Sequence, residues 1–166
     1  MKDVLFIIGS ESDTQAVEPG LQLLSEKGMS FDLKVISAHR NLEQLVAFLK
    51  AEESGYRVVI AAAGLSAALP GVVASLVKLP VIGVPLVAGS LSGVDALLSI
   101  LQLPRGVPVA TMGIGKQGVL LKGATNLNLR SFKDAKETDR VGNRLRNFRT
   151  CVRRQCQRDF LRQAHR

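Results

Sequence analysis

Three short runs carry the side chains best suited to chemistry. They are Gly9-Ser10-Glu11-Ser12-Asp13, Ser37-Ala38-His39-Arg40 and Gly64-Leu65-Ser66-Ala67-Ala68-Leu69-Pro70-Gly71. In the first, glycine and serine ahead of a helix offer backbone N–H groups, hydroxyls and the positive end of a helix dipole. That combination suits a phosphate or a ribose, although helix capping by Ser12 accounts for the same residues equally well. In the second, an arginine beside a serine can hold a phosphate by charge-assisted hydrogen bonds. His39 can move a proton near neutral pH, and the only other histidine is His165, at the far end of the chain. A lone loop histidine is ordinarily just solvated; the two neighbouring candidate loops raise the functional reading. The third run is rich in small residues, which let backbone approach a flat ligand closely. Taken alone, it is better explained by tight packing of a helix on a sheet.

These runs need elements to hold them. Val4–Ile8, Phe31–Ile36, Arg57–Ala62, Pro80–Val84 and Pro108–Met112 are short Val- and Ile-rich stretches that read as strands. Helical patterns lie between them at about 14–27, 42–54, 67–77 and 94–101. Ser12 and Gln15 have capping-box spacing, as do Asn41 and Gln44, and Gly28 and Gly55 stand where C-terminal caps belong. Repeated β-α-β units with nearly continuous apolar strands predict a parallel sheet covered on both faces, a doubly wound three-layer α/β domain. In such a domain ligands bind at the carboxyl ends of the strands. Each of the three runs directly follows a strand.

At 166 residues, with 46% hydrophobic and 22% charged, the chain is an ordinary globular domain rather than a disordered one. Cys151 and Cys156 are too few, and at helical spacing too divergent, to form a disulfide framework, so a reduced, cytoplasmic protein is expected. Met1-Lys2-Asp3 runs straight into Val4–Ile8 without a signal-peptide pattern. Residues 58–77 are uncharged, but Gly64 and Pro70-Gly71 break them into a strand, a loop and a helix rather than a membrane span.

The charge is unevenly distributed. Residues 1–121 carry nine Lys/Arg against ten Asp/Glu, while 122–166 carry thirteen against four, so the net +8 belongs to the C-terminal part. The expected organisation is a binding and catalytic domain over 1–130 and a basic helical extension over 131–166. There Val141, Leu145, Phe148, Val152, Cys156 and Phe160 form an amphipathic stripe opposite a run of arginines. Docking of that stripe on a neighbouring subunit is favoured over nucleic-acid or membrane contact. With no Trp and a single Tyr, the chain offers few stacking platforms for single strands.

The three runs, taken with further motifs, resemble the 5-carboxyaminoimidazole ribonucleotide mutases of purine biosynthesis. The additional motifs are Leu79-Pro80-Val81-Ile82-Gly83-Val84-Pro85, Leu91-Ser92-Gly93-Val94-Asp95, Leu97-Leu98-Ser99-Ile100 and the run from Gln102 to Thr111. The resemblance spans about 3–116 without gaps. It implies a flavodoxin-like fold, a cytoplasmic homo-octamer with sites at subunit contacts, and no metal or organic cofactor. It also implies transfer of a carboxylate from the exocyclic nitrogen to the ring carbon of aminoimidazole ribonucleotide, through released carbon dioxide. By position, Ser10, Ser12, Asp13, Ser37 and Arg40 would hold phosphate and ribose. Ala38, Gly64, Ser66, Ala67, Ala68 and Leu69 would complete the substrate pocket, and His39 would be the catalytic acid and base.

Mutases of this family usually read Gly-Gly-Ala-Ala-His-Leu-Pro-Gly in the third run, where this chain has Ala68 in place of the histidine. The related carboxylases, which use free carbon dioxide, lack that histidine and often have serine where Ser66 stands. They usually have lysine where this chain has Arg40. The expectation is the mutase. The alternatives are direct carboxylation by carbon dioxide and a catalytically reduced ribonucleotide-binding protein. A nucleic-acid module is disfavoured by the neutral body. A phosphorelay receiver would need an aspartate where the third strand ends in Ala61–Gly64, and a flavin carrier would need aromatic rings in these loops.

Overall fold

The structure is a computed structural model, and it describes residues 1–120. Five strands form one all-parallel sheet in the order β2-β1-β3-β4-β5. They are β1 (Lys2–Ile8), β2 (Phe31–Val35), β3 (Tyr56–Ala63), β4 (Val81–Pro85) and β5 (Ala110–Thr111). The helices are α1 (Thr14–Glu26), α2 (Leu42–Glu52), α3 (Ala68–Leu76), α4 (Val94–Leu101) and α5 (Lys116–Val119). This is the flavodoxin-like α/β arrangement expected from the alternating pattern.

The three central strands are apolar on both faces because helices cover both faces. Val4, Leu5, Phe6, Ile7 and Ile8 are fully buried, as are Val59, Ile60, Ala61 and Ala62. On one face Leu5, Ile7, Val59 and Ala61 pack with Leu45 and Leu49 of α2, Leu69 and Val73 of α3, and Ala96 and Ile100 of α4. Elsewhere α1 packs with α5, so the forward crossovers share one face, as right-handed connections require. Fully burying one such leucine or isoleucine contributes roughly 1.5–3 kcal/mol. The α1–α5 contact is close enough that a Cβ on Gly20 would lie 2.7 Å from the Val119 carbonyl oxygen.

Several local expectations are corrected. Ser12 does not cap α1. A 3-10 turn over Glu11–Asp13 precedes that helix, and Ser10 caps the turn by accepting the Ser12 N–H at 3.3 Å. Asp13 is therefore the residue at the start of α1, and it makes no side-chain cap bond there. Asn41 precedes α2 as expected but also makes no cap bond. Gly28 adopts φ +65° and its N–H reaches the Ser25 carbonyl, a left-handed helix end. Gly55 does not do this: α2 stops at Glu52 and tightens into a 3-10 turn over Glu53–Gly55. The strand expected over Pro108–Met112 shortens to two residues at the sheet edge, where Pro108 has no N–H to donate.

The uncharged run 58–77 divides into β3 and α3 around the loop at 64–67. Among the described residues no helix is long and apolar enough to cross a membrane. The expected helical extension over 131–166, its boundary at 130 and the two cysteines lie outside the described residues.

Two polar clusters sit at the amino-terminal edge of the sheet, away from the loops of interest. Asp3 accepts from the Ser30 N–H at 3.0 Å and the Ser30 hydroxyl at 2.9 Å, with Arg57 3.6 Å away. Tyr56 donates to Asp32 at 2.8 Å, and Lys2 pairs with the same carboxylate. Burial, reinforced by Asp32, pushes the Tyr56 hydroxyl up to about 12. These clusters fasten strand ends together.

Candidate active site

Strand register brings the candidate loops together. Ile8 of β1 stands opposite Val35 of β2 on one side and Ala62 of β3 on the other. The Ile36 N–H extends the β1–β2 pairing by donating to the Ile8 carbonyl at 2.9 Å. Gly9, Ser37 and Gly64 therefore begin their loops close to one level, at the carboxyl edge of three adjacent strands. Because α1 and α3 leave β1 and β3 toward opposite faces, the two loops diverge and open a crevice between them. In this strand order that is the switch point where ligands bind.

The first two loops are joined by polar contacts. The Ser12 hydroxyl donates to Ser10 Oγ at 2.8 Å, and the Asp13 N–H donates to the Ser10 carbonyl at 3.0 Å. Ser37 turns its own loop: its Oγ accepts the Arg40 N–H at 3.2 Å, and its carbonyl accepts the Asn41 N–H at 3.0 Å. Arg40 then crosses to the first loop, where Nη2 donates to the Gly9 carbonyl at 3.4 Å. Burial raises the Asp13 carboxyl above its usual value, while the Ser10 backbone N–H and the Arg40 charge pull the other way. Ser10 is half-buried, whereas Ser12, His39 and Arg40 are exposed. Ala38, between Ser37 and His39, is buried and anchors its loop to the core beneath.

The third loop is built differently. Gly64 follows β3, Ser66 is exposed, and Ala67 and Leu69 are buried with 2% exposure each. Ala68 opens α3 and is half-buried, with no side-chain cap before it. The Ala67 N–H donates to the Leu65 carbonyl at 2.8 Å, a tight turn about Ser66, and Leu65 itself lies in the left-handed region at φ +55°. For a non-glycine residue that conformation costs about 1–2 kcal/mol. The structure thus places Ser10, Ser12, Asp13, Ser37 and Arg40 in one linked cluster. His39 lies on the same edge, and the apolar wall 64–69 follows the next strand.

One contributor escaped the sequence reading: the loop after β4, residues 86–93, which packs directly against the third loop. A Cβ on Gly64 would meet Ala88 Cβ at 2.7 Å. Its position after a strand was the available signal. A separate cavity of about 290 Å³ is lined by Gln15, Ala16, Pro19, Leu86, Val87, Gly115 and Lys116, and by none of the candidate residues. The candidate crevice, by contrast, is an open edge lined by the linked polar cluster. Among the described residues no group of three or more His, Cys, Asp or Glu could hold a metal.

Comparison with known proteins gives the arrangement a context. The AIR carboxylase family model matches residues 3–151, extending past the described residues. The chain is 47% identical over 119 residues to the N5-carboxyaminoimidazole ribonucleotide mutase of Brucella melitensis, covering 71% of this chain and 74% of that one. It is 44% identical over 116 residues to the Escherichia coli protein of the same name, covering 69% of each. A chloroplastic phosphoribosylaminoimidazole carboxylase of Vigna aconitifolia is 44% identical over 133 residues, but this chain spans only 24% of that protein. Among solved structures, Treponema denticola PurE superposes with a TM-score of 0.67 at 27% identity, covering 90% of this chain and 92% of that one.

Proposed function

The chain belongs to the AIR carboxylase family, and from that premise we propose that its three clustered loops form the site of an N5-carboxyaminoimidazole ribonucleotide mutase of purine biosynthesis. The observation that carries this assignment to particular residues is the strand register. It sets a phosphate-suited serine–arginine cluster, a histidine and an apolar wall on one edge.

In this site the phosphate and ribose lie against Ser10, Ser12, Asp13, Ser37 and Arg40, the polar end of the crevice. The aminoimidazole ring lies against Ala38 and the wall of Gly64, Ser66, Ala67, Ala68 and Leu69. The bond between the exocyclic nitrogen and its carboxylate breaks, carbon dioxide is released, and the nitrogen takes up a proton. The ring carbon then attacks carbon dioxide, and the proton on that carbon leaves once the new bond has formed. His39 is the group placed to give the first proton and accept the second. Its exposure leaves it free to meet the substrate, and it has no hydrogen-bond partner among the described residues that would hold it elsewhere. Proximity replaces concentration, because carbon dioxide is recaptured where it is formed.

The enzyme acts in the cytoplasm as a homo-octamer. Support for assembly comes from Leu91, just before α4, and Val94, Leu98 and Leu101 along it, spaced by three, four and three residues and 46–60% exposed. Such a contiguous aliphatic stripe marks a contact surface, and here its occupant is a second copy of the chain.

The decisive experiment offers the protein two substrates and follows the ring-carboxylated product. The N-carboxylated nucleotide should be converted efficiently and independently of added bicarbonate. A rate that instead rises with dissolved carbon dioxide, using the unmodified nucleotide, would reassign the protein to direct carboxylation. No product from either would leave a ribonucleotide-binding protein. Ala68 departs from the family's mutases, which usually carry histidine there, whereas Arg40 follows them. Ala68→His should hold or raise mutase turnover by narrowing the pocket beside His39.

A further inference from the structure

We propose that Ser66 is a specificity-determining residue of the apolar wall: its hydroxyl donates a hydrogen bond to the nucleotide's carboxylate, in a wall where Ala68 stands in place of the histidine usual in the family's mutases. That role rests on the mutase assignment above.

A serine just ahead of a helix ordinarily caps it. Ser66 does not. The capping position of α3 falls on Ala67, and no side chain bonds to the helix end there. Among the described residues the Ser66 hydroxyl has no hydrogen-bond partner, and the residue is exposed, so packing does not account for it either. The fold nevertheless fixes where it stands. The bond from the Ala67 N–H to the Leu65 carbonyl closes a three-residue turn with Ser66 at its centre. On one side Leu65 reaches the loop after β4, where a Cβ on Gly89 would lie 2.8 Å from Leu65 Cδ2. On the other, Ala67 is buried in the core. The tip of the turn is left to Ser66, which carries the only polar side chain of residues 64–69.

The same loop holds a second departure. The mutase motif Gly-Gly-Ala-Ala-His-Leu-Pro-Gly sets alanine where Ser66 stands and histidine where Ala68 stands. Mutases with that motif therefore do without the hydroxyl but have an imidazole two residues on. This chain has the reverse, a hydroxyl at 66 and a methyl group at 68. The wall keeps one hydrogen-bonding side chain in either form.

The chemistry gives that side chain something to hold. The nucleotide carries a carboxylate before and after the transfer, first on nitrogen and then on carbon. Either form sets a negative charge against a wall of aliphatic groups, and a charge taken from water without a partner is costly. The Ser66 O–H supplies the donor. Carbon dioxide is neutral and gains little from it, so the hydroxyl selects carboxylated nucleotides over the unmodified one rather than speeding the breaking of a bond. Ser66 keeps its proton throughout, and both proton transfers stay with His39. An interaction made alike with substrate and product belongs in KM rather than kcat.

The test titrates four proteins calorimetrically with the ring-carboxylated and the unmodified nucleotide, and reads the ratio of the two dissociation constants. They are the unaltered protein, Ser66→Ala, Ser66→Thr, and a double variant joining Ser66→Ala to Ala68→His. Ser66→Ala should bind the carboxylated nucleotide about tenfold more weakly, the loss of one hydrogen bond to a charged group, and the unmodified nucleotide as before. With the N-carboxylated nucleotide as substrate, its KM should rise by a similar factor while kcat stays nearly intact. Ser66→Thr keeps the hydroxyl and should keep the ratio, and the double variant should recover it. An unchanged ratio in Ser66→Ala, an equal loss for both nucleotides, or no recovery in the double variant would each overturn the proposal. The titrations need no turnover. Failure of the unaltered protein to convert the N-carboxylated nucleotide would therefore remove the mutase assignment, while the ratio still decides for or against Ser66.

Discussion

Arg40→Ala separates the structural from the binding role of the residue that links two site loops. Among the described residues its exposed side chain makes one hydrogen bond, 3.4 Å from Nη2 to the Gly9 carbonyl. A long, solvent-exposed bond of that kind contributes little, on the order of 0–1 kcal/mol, comparable to a surface ion pair. The thermal midpoint of the variant should therefore stay within a few degrees of the original. A phosphate changes the account, because a guanidinium–phosphate pair is charge-assisted. Such bonds are worth about 1.5–3 kcal/mol, which corresponds to about 10- to 150-fold in affinity. The phosphate does not react, so the loss should fall mainly on KM or Kd and leave kcat nearly intact. Removing the Arg40 charge also removes one of the two influences that hold Asp13 down, so the Asp13 carboxyl should move further up. Calorimetric titration with the product nucleotide, beside a melting curve, measures both halves of the prediction. Unchanged nucleotide affinity would place the anion elsewhere. A large fall in stability with affinity preserved would make Arg40 a structural tie.

His39→Asn should leave the fold and nucleotide binding intact while lowering turnover by about 10²–10⁴-fold, the usual cost of losing a general acid–base; near-normal turnover in a steady-state assay would remove it from the mechanism. Burial raises the folded-state pKa of Asp13, so the contribution of this group is complete below its unfolded pKa and is lost as pH rises through the folded value. Asp13→Asn should accordingly melt higher than the original protein at pH 7, the gap closing toward pH 3, while binding the nucleotide more weakly; a lower midpoint at pH 7 would refute the sign. Gly20→Ala sets a Cβ 2.7 Å from the Val119 carbonyl oxygen and 2.9 Å from Val119 Cγ1. Overpacking of roughly 1–3 kcal/mol should exceed a helix-propensity gain of up to about 1 kcal/mol, and an unchanged denaturant midpoint would show that α5 yields freely.

The elements were legible because their apolar patterns follow from burial on both faces. Val4–Ile8 and Arg57–Ala62 have almost no polar residue to hide, and no edge or surface strand could be built that way. What failed was the chemistry of the helix ends. Ser12 and Gln15 have the spacing of a capping box, but spacing alone does not reveal that a 3-10 turn intervenes and moves the cap to Ser10. Gly55 looks like a helix stop, yet its backbone never needs the left-handed region, so its identity carries no information about φ. Residue type after a strand singled out Ser10, Ser12, Asp13, Ser37 and Arg40, and the strand register brings their loops to one edge, although helix capping explains the first loop's serines equally well. The positive φ of Leu65 was missed although a signal existed: the family motif has glycine at that position, the usual residue of the left-handed region.

The two halves of the crevice differ in construction, and that difference follows the two demands of the proposed reaction. The loops at 9–13 and 37–40 are partly exposed and carry side-chain hydroxyl bonds and one long arginine bond beside their backbone bonds, and Ser12, His39 and Arg40 stand exposed where a phosphate can reach them. The loop at 64–69 and its neighbour after β4 are held by backbone bonds and by a contact that leaves no room for a Cβ on Gly64. Such close packing cannot yield continuously, because a shift of a few tenths of an ångström already meets repulsion. A phosphate needs charge and hydrogen bonds from groups that can reach it, whereas carbon dioxide needs only a surface that does not move. Placing the first on side chains and the second on packed backbone assigns each requirement to the part of the fold able to meet it.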